Sequence, residues 1–286
     1  MGVTFEPPPD HVLAAFGVAG VEPAPLGAGW DDGWRCGEVV ISEVADNARA
    51  AWSARVRESL FVDGIRLARP IRSTDGRYVV SSWRADTFVA GVPEPRHDEV
   101  VSVAVRLHEA TAALERPRFL TQGPSDSWDD VDVFVAADRA AWDDRPLQSI
   151  PPGAVTAPEG VDAQRSIDLI KQLATLRKPT RSPSQLVHGD LYGTVLFSGA
   201  AAPGVTDIAP YWRPASWAAG VVVVDALSWG GADEELIERW RTLPEWPQML
   251  LRALMFRLAV HALHPRSTAE AFPGLARCAG LVRMLL

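Results

Sequence analysis

Lysine and asparagine are nearly absent from this chain. Of its 28 basic residues only Lys171 and Lys178 are lysines, and Asn47 is the sole asparagine. An arginine- and alanine-rich bias is what a GC-rich genome writes, and on a solvated surface the two basic side chains exchange freely. At a phosphate site they do not, because a guanidinium fork and a compact ammonium have different geometry. Cysteine is scarce too: Cys36 and Cys278 cannot build a disulfide framework and lack zinc-ligand spacing. A reducing compartment is the default for such a chain, and a cytoplasmic location is expected. No cluster of Lys or Arg stands out and the formal net charge is −8, which argues against nucleic acid as the main ligand. The N-terminal MGVTFEPPPD has neither a basic patch nor an apolar core, and the run Val221 to Val224 stops at Asp225. No signal peptide and no membrane span are therefore expected.

What is present is enough for a real core. With 286 residues, 47% of them hydrophobic, the chain suits one large unit or two modest domains. A glycine loop, LGAGWDDGWRCG, carries Gly27, Gly29 and Gly33 ahead of a β-rich run from Val39 to Val44. Ala45 to Leu60 reads as helix, and Tyr78 to Trp83 as a second strand after the turn-like Asp75-Gly76. The proline-bearing Gly91 to Pro95 separates this part from a series of expected helices: Asp98 to Leu114, Trp128 to Trp142, Asp162 to Leu176, Glu234 to Leu243 and Gln248 to His264. Between the middle and last pairs lie LVHGDLYGTVLF, GVTDIAPYWRP and VVVVDALSWG, which read as short apolar strands with polar residues at their turns. Chemistry is commonly placed on such loops.

His188-Gly189-Asp190 ends one of these runs, and Asp207 follows a second short strand. In phosphoryl transfer two carboxylates on adjacent loops divide the work, one orienting or deprotonating the attacking hydroxyl and the other holding magnesium. On HGDLYGTVLF, the Asp207-Ile208 pair, Asp225 and the order of elements around them, the sequence resembles the aminoglycoside phosphotransferase family. Tyr211-Trp212-Arg213-Pro214 resembles a little-characterised actinobacterial branch of it. The resemblance implies an α+β, protein-kinase-like two-lobe fold, with a small β-rich N-lobe bearing one helix over residues 1–90, a hinge over 91–97 and a mainly helical C-lobe over 98–286. It also implies Asp190 as catalytic base, His188 as the brace of its loop, Asp207 as magnesium ligand, and Gly27, Gly29 and Gly33 around the phosphates. Asp225 would anchor the catalytic loop; on residue chemistry alone, an aspartate among valines is a buried, hydrogen-bonded carboxylate.

The chain departs from the family pattern in three places. The magnesium-binding asparagine of the catalytic loop is Val195, and hydrocarbon cannot ligate a hard cation; the hydroxyls of Thr194 and Ser198 are nearby but out of register. The strand lysine that grips phosphate falls at Ser42, and no lysine precedes Lys171. On the following helix the expected inward position is Arg55, with Glu58 as the alternative. An inward Arg55 would move the cation from strand to helix, whereas a solvated Arg55 paired with Glu58 is the plain reading. The tip of the glycine loop carries Asp31 and Asp32, whose charge opposes a triphosphate; a solvent-facing hairpin turn and a site for a cation are the alternatives.

Three functions follow. The first is a pseudokinase with a degraded nucleotide site, binding a small molecule or a protein partner. The second is an active phosphotransferase on a hydroxyl of a small molecule, using ATP or GTP with magnesium. The third is an interaction subunit built on the 11 tryptophans, although large aromatics more often fill cores. Asp98, Asp126, Asp129, Asp130 and Asp132 would suit a cationic ligand or form a solvated face. An adenine slot closed by hydrophobic groups near Phe88 and Val89 would weigh against nucleotide.

Overall fold

The computed structural model describes residues 6–122, 130–145, 147–148, 158 and 160–286; Asp126, Trp128 and Asp129 lie outside them. The chain divides into two compact units. The first comprises Met1–Glu94, Arg106–Ala113 and Asp190–Pro210, and the second Pro95–Val105, Leu114–Gly189 and Tyr211–Leu286.

In the first unit a short helix α1 (Asp10–Ala15) precedes β1 (Ala24–Pro25), one 3-10 turn over Ala28–Trp30, β2 (Trp34–Cys36) and β3 (Val39–Glu43). Helix α2 (Asn47–Ser59) follows, capped by Asp46, whose carboxylate accepts from the N–H groups of Ala48 and Arg49. Then come β4 (Arg66–Leu67), β5 (Pro70–Ile71), β6 (Val79–Val80), β7 (Trp83–Thr87) and β8 (Val92–Pro93). The stretch Tyr78 to Trp83 is therefore not one strand. Ser81 and Ser82 both take positive φ, at 49° and 63°, and turn the chain so that β6 pairs back on β7.

The main antiparallel sheet runs β1-β2-β3-β7-β5, and its pleat sorts the side chains by parity. Ile41, Trp83 and Ala85 face a core with Val12, Leu13, Phe16 and Val18 of the α1 segment. The opposite parity, Val40 and Ser42 on β3 with Asp86 and Arg84 directly across on β7, faces the other way. That polar face becomes the candidate site.

Helix α3 (His97–Thr111) contributes residues 97–105 to the second unit and the rest to the first. The second unit continues with α4 (Asp130–Trp142), α5 (Ala163–Ala174) and β9 (Gln185–His188). The chain then returns to the first unit for β10 (Leu196–Phe197) and β11 (Gly204–Val205), which join β4 and β8 in a four-stranded sheet. It comes back through β12 (Pro210–Arg213), paired with β9, to α6 (Ala215–Ser228), α7 (Glu235–Arg239), α8 (Trp246–Leu263) and α9 (Ala271–Arg283). The run Val221 to Val224, expected as a strand, lies inside α6. Burial on every side outweighs the modest helix penalty of four valines, since α6 is buried from Ser216 to Ser228.

Helix α8 is the axis of the second unit, packed against α4, α5, α6 and α9. Its two internal arginines turn inward. Arg257 makes a bidentate pair with Asp225 of α6, at 2.7 and 2.5 Å, so Asp225 is the buried, hydrogen-bonded carboxylate its valine surroundings implied. Arg252 caps carbonyls of Ala141 and Lys178 at 3.0 and 3.1 Å and lies over the Trp142 ring. Among the described residues no helix is long and apolar enough to cross a membrane.

Candidate functional site

The residues that carry chemistry in the first unit meet on the polar face of its main sheet. Arg57 and Ser53 stand one turn apart on α2 and both point at the sheet. Arg57 is fully buried, donating to the Asp86 carboxylate at 2.6 Å, to the Ala68 carbonyl at 2.8 Å and to Ser53 at 3.2 Å. Asp207, two residues beyond β11, receives the Ser53 hydroxyl at 2.5 Å on Oδ1. Arg57 Nε lies 3.4 Å from the same oxygen, while Arg84 Nη1 closes an ion pair on Oδ2. Arg84 also reaches Asp31 of the glycine loop at 2.8 Å and Asp86 at 3.5 Å.

The electrostatics follow from these contacts. Burial disfavours the Asp207 carboxylate, but Arg84, Arg57 and the Ser53 hydroxyl outweigh it and hold its pKa well below the usual carboxylate range. For Arg84, burial works against the cation, and Asp207, Asp86 and Asp31 more than offset it, raising its pKa. Asp31 is pushed up by desolvation, opposed by Arg84, and pushed further by the charges of Asp207, Asp190 and Asp86. A pKa raised by folding means a contribution to stability that is present below the ordinary value of 3.8 and lost as pH rises through the folded value. Asp31→Asn removes that loss. Its melting temperature should gain on the wild type as pH is raised from 4 toward 8, and thermal scans across that range check it.

The glycine loop is folded in on itself. The N–H groups of Trp30, Asp31, Asp32 and Gly33 donate to the loop's own carbonyls at Gly27, Ala28, Gly27 and Trp30. Gly27 is exposed and Gly33 buried. Gly29 presses on Leu196 so closely that a Cβ there would sit 2.7 Å from its side chain, and Thr206 donates to the Gly29 carbonyl at 3.0 Å. Trp30, 4% exposed, is buried among Val40, Ala68, Val89 and Leu196. Its ring stacks on Phe88 at 5.9 Å between centroids. Ser42 lies under this loop, with its hydroxyl 3.3 Å from the Trp30 carbonyl.

Other expected residues sit elsewhere. Arg55 and Glu58 are both on the exposed side of α2. Glu58 is held by Arg72 and by the Tyr78 hydroxyl at 2.6 Å. The inward cation of the helix is Arg57, two residues on from the expected position. Asp190 is exposed in the loop after β9, and His188 is buried at the end of that strand. Between them Gly189 leaves no room for a Cβ against the Tyr211 ring. The Thr194 hydroxyl is spent on the carbonyls of Asp190 and Leu191. In the second unit Asp98 is engaged by Arg239 and by Trp240 Nε1 at 2.8 Å, and Asp132 is buried.

No family model and no curated protein matches the sequence. Solved structures do. The AMP-bound spectinomycin phosphotransferase APH(9)-Ia superposes with a TM-score of 0.58 at 11% identity, covering 96% of this chain and 96% of its own. A microcompartment-associated aminopropanol kinase gives 0.57 at 15%, covering 96% and 94%. A thermostable mutant of APH(4)-Ia in its apo form gives 0.56 at 15%, covering 96% and 97%. The chain has the fold of the aminoglycoside phosphotransferases and related small-molecule kinases.

On that fold the resemblance assigns a magnesium ion to Asp207, and the residues present do not fit it. Both Asp207 oxygens are taken by Arg84, Arg57 and Ser53. Val195, where the second oxygen ligand would stand, is buried hydrocarbon. Among the described residues no group of three His, Cys, Asp or Glu side chains is arranged to hold a metal. The sequence pointed to Ser42 and Val195 as departures from the family pattern. It missed Arg84, because only the β3–β7 register shows that Arg84 stands directly across from Ser42.

Proposed function

We propose that this protein is a phosphotransferase-fold pseudokinase, a binding or regulatory protein whose nucleotide site is closed by its own glycine loop. The observation that carries this reading is the state of the loop. A loop that cradles phosphate presents backbone N–H groups outward, and here four successive ones are spent on the loop's own carbonyls. The apolar slot beside Phe88 and Val89, the place adenine would take on the resemblance, holds the indole of Trp30. The tip of the loop brings Asp31 onto Arg84, so the nearest cation is already paired. The Trp-rich interaction reading has less support, since Trp30, Trp83, Trp217 and Trp246 are buried and Trp229 is the exposed tryptophan among the described residues.

A ligand that binds only the folded state raises stability with its occupancy, by about 2.7 kcal/mol at a hundredfold excess over Kd. Millimolar ATP with magnesium is expected to leave the melting temperature of the wild type unchanged within error. A rise of several degrees that disappears in Asp207→Ala would overturn the reading. ADP release that depends on an added alcohol substrate and is lost in Asp190→Ala would establish the active phosphotransferase instead.

A further inference from the structure

The misfit between Asp207 and a metal has a definite form, because something else fills the metal's electrostatic role. Three carboxylates, Asp31, Asp86 and Asp207, surround Arg84, and two of them also lie within reach of Arg57. Both guanidinium groups are more than nine-tenths buried, and Arg57 Nη2 has no hydrogen-bond partner. Two fixed positive charges therefore stand among these carboxylates, where a kinase would combine a strand lysine with a divalent cation.

The register explains how this arose. Ser42 is too short to cross the face of the sheet, and Arg84, its direct cross-strand neighbour, extends over it to Asp207. We infer that Arg84 is a built-in replacement for the divalent cation: it pairs with Asp207, draws Asp31 and the glycine loop inward, and keeps the site metal-free. This inference rests on Asp207 being the metal position of the fold. It does not require the Trp30 slot to stay closed.

The consequence is a gain of function on removing the arginine. Arg84→Ala leaves Asp31 and Asp207 without their shared cation, beside an Asp86 still paired with Arg57, and this local excess of negative charge on oxygen favours a hard divalent cation. The probe is Mn2+ alone, followed by calorimetric titration and by melting temperature. The wild type is expected to show no Asp207-dependent binding at millimolar Mn2+. Arg84→Ala is expected to bind at least roughly tenfold more tightly, about 1.4 kcal/mol, and to lose the gain when Asp207→Ala is added.

Two results overturn the inference: wild-type Mn2+ binding that Asp207→Ala abolishes, or a folded Arg84→Ala that binds no more tightly than wild type. Should Arg84→Ala be unfolded in metal-free buffer, its cooperative transition is followed as Mn2+ is added. Recovery supports the inference and failure to recover overturns it. Metal-independent ATP binding by the wild type would overturn the closed-site reading and leave this one standing.

Discussion

Arg57→Met is expected to lower the stability of the first unit by about 3–5 kcal/mol, the cost of stripping one partner from a buried ion pair. Methionine fills much of the stem volume, so the loss is electrostatic more than a matter of packing. What remains is a buried Asp86 carboxylate without its closest cation and an Ala68 carbonyl without its donor. Asp207 also loses one of its two arginines. For a chain of this length each kcal/mol moves Tm by roughly 2–4 °C, so the transition should fall by about 10 °C. Urea melts of the wild type and variant measure it directly. Adding Asp86→Leu should return only part of the loss, because Asp207 still lacks its second arginine in the double variant. Full recovery would mean that Arg57 and Asp86 act as a simple pair and that the cluster is not a network.

How far the sequence could be read depends on the range of the signal. Helix α2 was legible from Ala45 to Leu60, and Asp46 caps it close to where that segment begins. Which side of α2 faces inward was not. Arg55 was the expected inward position, with Glu58 as the alternative, and only the packing shows that Arg57 is the one that reaches Asp86 of β7 and the Ala68 carbonyl. The Val221 to Val224 run carries the local preference of a strand and becomes helix because α8 and its neighbours bury it entirely. Tyr78 to Trp83 has continuous strand composition, but its turn uses two serines at positive φ where glycine or asparagine would have flagged it.

The candidate site divides in the same way. Departures from the family pattern such as Ser42 and Val195 are visible in one dimension because a motif fixes their spacing. Replacements such as Arg84 are visible only across strands. The negative tip of the glycine loop was readable as hostile to phosphate, and the structure gives Asp31 its partner in Arg84. That Trp30 would turn inward carries no sequence signal, since an irregular loop has no periodicity to say which side chain it buries.

In the second unit Arg257→Leu should lose about 3–5 kcal/mol for the same reason as Arg57→Met, a buried carboxylate stripped of its arginine. Arg257 gives Asp225 two parallel bonds, and both side chains are almost wholly removed from water, at 9% and 2% exposure. Around them α6 and α8 are mostly hydrocarbon, with few other buried polar side chains. That environment screens a buried carboxylate poorly once its arginine is gone, whereas it packs readily against another leucine. The double variant Asp225→Leu/Arg257→Leu is therefore expected to recover most of the loss, since a buried pair exchanged for packed hydrocarbon is often neutral. Thermal or urea melts of the two variants decide the point. A double variant as unstable as Arg257→Leu would mean that Asp225 does more than neutralise its arginine, and would return it to the role of anchoring the loop that carries Asp190.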